Sequence, residues 1–327
     1  MTGRRTRIHD LTTVNNEEQK ERHQMKTLRI ILLTALLSAS CEEASLADGN
    51  QDKDRGGQTD PTEDTRKEGA LTADGNDADT YSLILKSGYN YETPDNSGAH
   101  ASAPFRHIRQ SYDEELGKYV FDFILHIEND DDRGKPDVTD RQRNEIKTDA
   151  KSPAGMVAQE GETLRMTWKF RLPEGMKTTT AFSHIHQIKG ISDKEGTADV
   201  AMPVFTFTVR TLSSGKQQFQ VIHVGPSPSS NTYLAKADLS EFLGEWVEAT
   251  ETVRFSDNGA YELVIRRISD GKTLVSVKED DIATWREAAA GMRPKWGLYR
   301  NFGEDGSLKP ELRDEVLRFA DFLIEKP

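Results

Sequence analysis

The chain has 327 residues, a formal net charge of -12 and charged residues at 30% of the sequence. An acidic chain of this kind excludes general binding of nucleic acid or anionic membranes, so any site for a polyanion must gather its cations locally. The lone cysteine, Cys41, excludes an internal disulfide and an all-cysteine metal centre.

Residues 1–24 are polar and charged and read as an upstream extension, with Met25 as an alternative start. Residues 25–41 then carry a basic start (Lys26, Arg29), an apolar run from Ile30 to Leu37, and small residues immediately before Cys41. This resembles a bacterial lipoprotein signal, which implies lipidation of Cys41 and a place in the cell envelope; Ser38 departs from the aliphatic residue usual three positions before the cysteine. An ordinary cleaved signal and secretion, or an uncleaved anchor, stay open. The apolar run is too short for a spanning helix, so membrane contact is expected only through the lipid. Residues 42–80 are rich in Asp, Glu, Gly and Thr and nearly lack large apolar side chains, the composition of a disordered acidic linker.

From residue 81 to 327 the text becomes strand-like. Period-two patterns occupy residues 119–127, 163–172, 204–210, 218–224, 246–255, 261–268 and 319–324. Pro173-Glu-Gly, Ser213-Ser-Gly, Asp257-Asn-Gly and Ser269-Asp-Gly supply turns, and Asp257-Asn-Gly between two alternating runs predicts a hairpin. Helix is sparse, with Asp281 to Ala290 the best candidate and a turn or two between Leu308 and Val316. Many short strands with little helix predict an all-β domain, a β-jelly roll built as a two-sheet antiparallel sandwich with a concave cleft; a monomer is expected.

Three segments carry most of the chemistry: R-Q-R-N-E-I-K (Arg141 to Lys147), H-I-H-Q-I-K (His184 to Lys189) and K-W-G-L-Y-R-N (Lys295 to Asn301). Each alternates polar with bulky apolar residues, so each can turn one face to a core and one to a cleft. Together they offer amide, cationic, imidazole and phenol groups, a set able to hold a carboxylate and move a proton beside it. A phosphate-binding loop, a dinucleotide fingerprint and a nucleophile elbow are all missing from the sequence.

In this order, on a strand-rich background, the segments resemble the cleft strands of jelly-roll polysaccharide lyases, the class of alginate, glucuronan, heparin and ulvan lyases. The alginate enzymes carry R-x-E-L-R, Q-I-H and G-x-Y-x-Q; here the matching stretches are Arg143-Asn-Glu-Ile-Lys147, Gln187-Ile-Lys189 and Gly297-Leu-Tyr-Arg-Asn301. Lys189 replaces a His and Asn301 a Gln, which moves the resemblance toward the ulvan and glucuronan branches. It implies β-elimination on a uronate polymer, ulvan first, with glucuronan or another uronate polymer as the alternative. In such a reaction the C5 proton leaves only when the neighbouring carboxylate is neutralised or strongly hydrogen-bonded.

The resemblance and the residue types assign Tyr299 to proton transfer, since a phenol in a cationic cleft can act as base, acid or both. Arg141, Arg143, Asn144, Gln187, Lys189, Lys295, Arg300 and Asn301 become candidate substrate-binding residues, with Arg143, Gln187 and Lys189 as carboxylate neutralisers. Glu145 is expected to hold Arg143 or Lys147 in place, and Gly297 to let polymer approach the sheet. His184 and His186 are the other catalytic candidates. Strict alternation places both opposite Gln187, and only a bulge would reverse that. A second group is needed for iduronate, whose C5 proton and leaving oxygen lie on opposite ring sides, whereas one tyrosine suffices for glucuronate; a polymer containing both favours a His and Tyr pair. His107, His126 and His223 fall in or beside strands without a motif.

The chemistry requires no cofactor. Asp130-Asp-Asp with Asp137 and Asp140 offers oxygen ligands to calcium, although a solvated acidic loop is the plainer reading. A non-catalytic surface glycan-binding protein is the alternative from another class, because jelly rolls host both. A glycoside hydrolase would need two cleft carboxylates, and only Glu145 offers itself.

Overall fold

A computed structural model describes residues 67–96, 105–135, 137–193, 195–196, 200–226 and 231–327. The signal, Cys41 and most of the linker lie outside the described residues. Among the described residues no helix is long and apolar enough to cross a membrane.

In chain order the elements are β1 (Ala70–Leu71), α1 (Thr80–Lys86), β2 (Asn90–Glu92), β3 (Ile108–Asp113), β4 (Lys118–Leu125), β5 (Arg141–Lys147), β6 (Thr163–Arg171) and β7 (Ser183–Ile191). There follow β8 (Phe205–Thr211), β9 (Gln217–Val224), β10 (Asn231–Asp238), β11 (Trp246–Arg254), β12 (Gly259–Arg267), β13 (Thr273–Ile282), β14 (Gly291–Asn301) and β15 (Glu315–Glu325). They pair antiparallel into two sheets, ordered β13-β12-β11-β6-β15-β4-β3 with β1 on β15, and β10-β9-β8-β7-β14-β5-β2. This is the antiparallel jelly-roll sandwich expected from the alternation.

The inner faces meet through aromatic residues. Trp168 of β6 packs 5.5 Å from Trp296 of β14, and Phe170 stacks 6.4 Å from Phe219 of β9. Burying each such ring contributes on the order of 1.5–3 kcal/mol. One polar chain crosses the same interface: the Tyr261 hydroxyl donates to Glu251 (2.7 Å), and Glu251 meets His186 Nε2 at 2.9 Å. Because Glu251 belongs to one sheet and His186 to the other, the chain ties the sheets together and satisfies polar groups that would be costly to bury alone.

The predicted Asp257-Asn-Gly hairpin joins β11 to β12 with Arg254 opposite Ala260, while Ser213-Ser-Gly joins β8 to β9. The helix expected over 281–290 is absent. Residues up to Ile282 continue β13, and the chain then breaks at Ala288, which has φ 58°. Arg286 decides this conformation: its guanidinium donates to the carbonyls of Pro203 and Val224 at 3.2 and 2.7 Å, tying the segment to the sheet instead of letting it coil. The stretch from Leu308 holds one 3-10 turn, Lys309–Glu311.

The linker boundary also moves. β1 pairs with the C-terminal strand (Ala70 opposite Leu323), and Tyr89 donates to Gly69 O at 2.6 Å, so residues 67–80 belong to the folded domain. Leu71, buried against the core, is the anchor. A single apolar residue in polar text carries no period that could announce it.

Candidate active site

β7, β14 and β5 are neighbours in the second sheet, so the three motif strands lie side by side. Register aligns Tyr299 with Arg143 on one side and His184 on the other, and Lys295 with Lys147 and Gln187. Alternation then puts Arg141, Arg143, Glu145, Lys147, Arg293, Lys295, Tyr299 and Asn301 on the outer face.

The Tyr299 phenol is held from two directions. Arg141 Nη1 donates to its oxygen at 2.8 Å, and the Arg143 guanidinium lies 3.7 Å above the ring centroid. Arg141 is itself braced by Asp140, which receives its Nε at 2.7 Å. Asn301 donates to Asp140 at 3.3 Å and accepts from Gly303 N at 2.9 Å. Asn301 therefore fixes the Asp140 support and the turn after the strand.

His184 reaches the same face because β7 bulges. Register slips between His184 and His186 on both neighbouring strands, and Ile185 and His186 both turn into the core. The strict-alternation expectation is thus corrected for His184, whose ring centroid lies 6.0 Å from that of Tyr299. Its Nδ1 is 2.8 Å from Thr208 Oγ1 and its ring stacks on Phe182 at 4.3 Å, which fixes the imidazole plane. Burial first, then the charges of Arg210, Arg143 and Lys189, push the ring down to about 3, so it is neutral at ordinary pH.

His186 is corrected the other way. It is fully buried among Trp168, Phe207 and Trp296, with Nδ1 2.8 Å from Lys295 O and Nε2 on Glu251. It cannot meet a substrate. Asn144 and Arg300 also face inward: Asn144 donates to the carbonyls of His107 and Ile124, and Arg300 to Gln142 Oε1 (2.6 Å) and Arg313 O (2.9 Å). Both belong to the even-numbered set on their strands, the core set.

Arg143, Gln187 and Lys295 are on the outer face, yet each is nearly inaccessible and engaged by internal carboxylates. Glu145 receives Arg143 Nη1 (3.0 Å), Lys295 Nζ (3.2 Å) and Gln187 Nε2. Glu92 receives Arg143 Nη1 (3.1 Å), Lys147 Nζ (2.8 Å) and Lys295 Nζ, while Asp132 takes Arg143 Nε at 2.8 Å. Burial raises the Glu92 carboxyl, but Lys295, Arg143 and Lys147 outweigh it and hold the group far below the usual carboxylate range. The expected role of Glu145 stands for Arg143 and shifts from Lys147 to Lys295.

Cations nearer solvent lie around this core. Lys189 donates to Ala201 O at 2.7 Å and stands opposite Arg293 in register. Burial, then Arg143 and Arg293, lower its ammonium to about 8. Among the described residues Arg293 Nη1 and Arg210 Nε are buried polar atoms without a hydrogen-bond partner. A pocket lined in part by Asp149, Lys151 and Ser192 opens at Lys189 and Arg293.

Sequence reasoning missed Glu92, Arg210, Arg293 and Thr208, and met Asp132 only as a calcium candidate. Glu92 and Asp132 lie outside the motifs, and their roles arise only from strand pairing. Arg293 had a signal, the continuation of the period-two pattern two residues before Lys295. Gly297 has φ 144°, and a Cβ there would meet Asn144 O at 2.1 Å. Its freedom accommodates the neighbouring strand, not an approaching polymer. The acidic residues considered for calcium point apart: Asp130 toward His107 and His126, Asp132 toward Arg133 and Arg143, and Asp140 toward Arg141.

The fold and site together define a jelly-roll protein with a tyrosine-centred cationic face. The sequence matches the family described as polysaccharide lyase over residues 110–314. The chain belongs to that family and is a polysaccharide lyase. Among solved structures it is similar to the endo-beta-1,4-glucuronan lyase from the fungus Trichoderma reesei (14% identity, 72% of this chain and 94% of that one, TM-score 0.46). It is also similar to a family 7 alginate lyase in complex with substrate (14%, 73% and 92%, TM-score 0.48) and to the marine alginate lyase from Aplysia kurodai (10%, 79% and 98%, TM-score 0.49). Among proteins with curated descriptions none matches significantly.

Proposed function

We propose that this lyase depolymerises a uronate-containing anionic polysaccharide by β-elimination, with Tyr299 and His184 as the proton-transferring pair and ulvan as the first substrate to test. The observation that carries the reading is the register that sets the Tyr299 phenol between Arg143 and His184, with Arg141 donating to the phenol oxygen at 2.8 Å. Arg141 is a donor to the oxygen that holds negative charge once the phenol has given up its proton. Arg143 fixes the ring from above, and its own charge is balanced by Glu92, Glu145 and Asp132, so its role is positioning. Neutralising the uronate carboxylate falls to Lys189, Arg293 and Arg210, the half-buried cations around this core.

His184 suits a second proton-transfer role. Burial first, and then the surrounding cations, keep it neutral, hence able to accept a proton, and an arriving carboxylate offsets those cations and raises its basicity when the substrate is in place. With Nδ1 engaged by Thr208, Nε2 is the nitrogen left for the sugar. Two groups on one face, one phenol and one imidazole, can serve leaving groups and protons on opposite sides of a sugar ring. That favours a polymer containing iduronate as well as glucuronate, which is why ulvan precedes glucuronan.

The test is to incubate the purified chain with ulvan, glucuronan, alginate and heparin and follow the ultraviolet absorbance of the unsaturated uronate. A rise with ulvan larger than with the other three is expected. A rise only with alginate would overturn the substrate assignment, and binding without any rise would favour a glycan-binding role.

A further inference from the structure

The back of β5, away from Tyr299, holds a second constellation that the lyase chemistry does not use. Gln142 Nε2 donates to the carbonyls of His126 (2.9 Å) and Asp130 (3.3 Å), and Asn144 Nδ2 donates to His107 O at 2.8 Å. The inward side chains of the motif strand therefore grip the backbone of all three residues. His107 Nε2 lies 2.9 Å from Asp130 Oδ1, and His126 Nδ1 lies 3.2 Å from Asp130 Oδ2. His107 and Asp130 are buried, His126 half-buried, and the Phe105 ring covers both imidazoles at 4.8 and 5.2 Å between centroids.

We propose that His107, His126 and Asp130 form a divalent transition-metal site, zinc by preference, with Asp95 orienting His107 through its other ring nitrogen. The three donor atoms lie within 4.8 Å of one another. Tetrahedral zinc with bonds of about 2.0–2.1 Å needs donor separations of about 3.3 Å, and each imidazole nitrogen already stands near that distance from one oxygen of the shared carboxylate, His107 Nε2 at 2.9 Å from Oδ1 and His126 Nδ1 at 3.2 Å from Oδ2. Two imidazole nitrogens and one carboxylate suit zinc and not calcium, which takes six to eight oxygens. Metal-bound histidines regularly give their second nitrogen to a carboxylate, and His107 Nδ1 is in contact with Asp95, which in turn accepts from the Tyr81 hydroxyl. The ion would brace the segment from His126 to Asp132, and Asp132 holds Arg143 over the Tyr299 ring. The competing arrangement is metal-free, a protonated His107 bridging Asp95 and Asp130 with His126 Nδ1–H donating to the second Asp130 oxygen, and the zinc measurement separates the two.

The test uses the full chain without a polyhistidine tag, stripped with a chelator and dialysed against zinc chloride. One zinc per chain, a thermal midpoint raised by several degrees, and visible d–d absorption when cobalt(II) replaces zinc are the expected results. His126→Gln and Asp130→Asn should each weaken zinc binding by tenfold or more and lose the thermal shift. No retained zinc and no cobalt absorption in the unaltered chain would overturn the proposal without recourse to a variant. So would zinc binding that both variants leave unchanged. These readouts are independent of whether the chain cleaves any polymer.

Discussion

At the scale of single residues, two histidines separated by one position have opposite fates. His184 lies beside the phenol, and His186 lies in the core on Glu251. His186→Ala should therefore act on stability, because it removes a partner from a buried carboxylate; a cost of roughly 3–5 kcal/mol is expected in denaturant titrations. His184→Ala should leave the midpoint nearly unchanged and lower kcat by about 10²- to 10⁴-fold, the range for losing a general acid or base. The reverse pattern would exchange their roles. From the sequence the pair was ambiguous for a definite reason: period two predicts faces only where pairing is regular, and one bulged residue, Ile185, inverts everything upstream of it.

At the scale of elements, the legible part of the site was the strands themselves. Alternation in Arg141–Lys147 and Gly291–Asn301 correctly separates Arg141, Arg143, Lys295, Tyr299 and Asn301 from the core set. What alternation cannot give is which charges neutralise which. Arg143, Gln187 and Lys295 read as substrate binders, with Glu145 expected on Arg143 or Lys147, but Glu145 from the same motif and Glu92 from a three-residue strand occupy all three. Strand order is a tertiary fact, and Glu92 carries no local mark of its neighbours. The same pairing accounts for Gly297, whose missing side chain is filled by the Asn144 carbonyl of β5. Gly297→Ala should cost about 1–3 kcal/mol from backbone conformation alone, and more if the strands separate. A thermal melt that does not move would show that β5 and β14 adapt without strain. The helix expected near residue 285 failed for a related reason: local propensity in Glu287-Ala-Ala-Ala yields to the two carbonyls that Arg286 reaches.

At the scale of the whole molecule, an acidic chain carries a locally cationic face, and that face sets the pH dependence. Lys189, lowered to about 8, is charged below that pH and neutral above it. An anionic substrate binds the charged form, so kcat/KM should fall through a limb centred near pH 8 as pH rises, mainly through KM. Lys189→Arg should remove this limb, since guanidinium keeps its charge; a limb that persists in the variant would assign it to another group. His184, lowered to about 3, is neutral throughout pH 5–8 and should add no acid limb there. The fold class and the faces of the three motif strands were readable because a two-sheet sandwich writes its inside and outside into every strand. The start of the domain was not, because β1 contributes only two residues to its sheet.

The central claim is that Tyr299 moves the proton in an elimination. Its most direct test is product analysis by mass spectrometry after incubating ulvan with the unaltered chain and with Tyr299→Phe, alongside binding isotherms for both. Oligosaccharides bearing an unsaturated uronate from the unaltered chain, none from the variant, and affinities within a few-fold of each other are predicted. Unsaturated products formed by Tyr299→Phe at an undiminished rate would contradict the account.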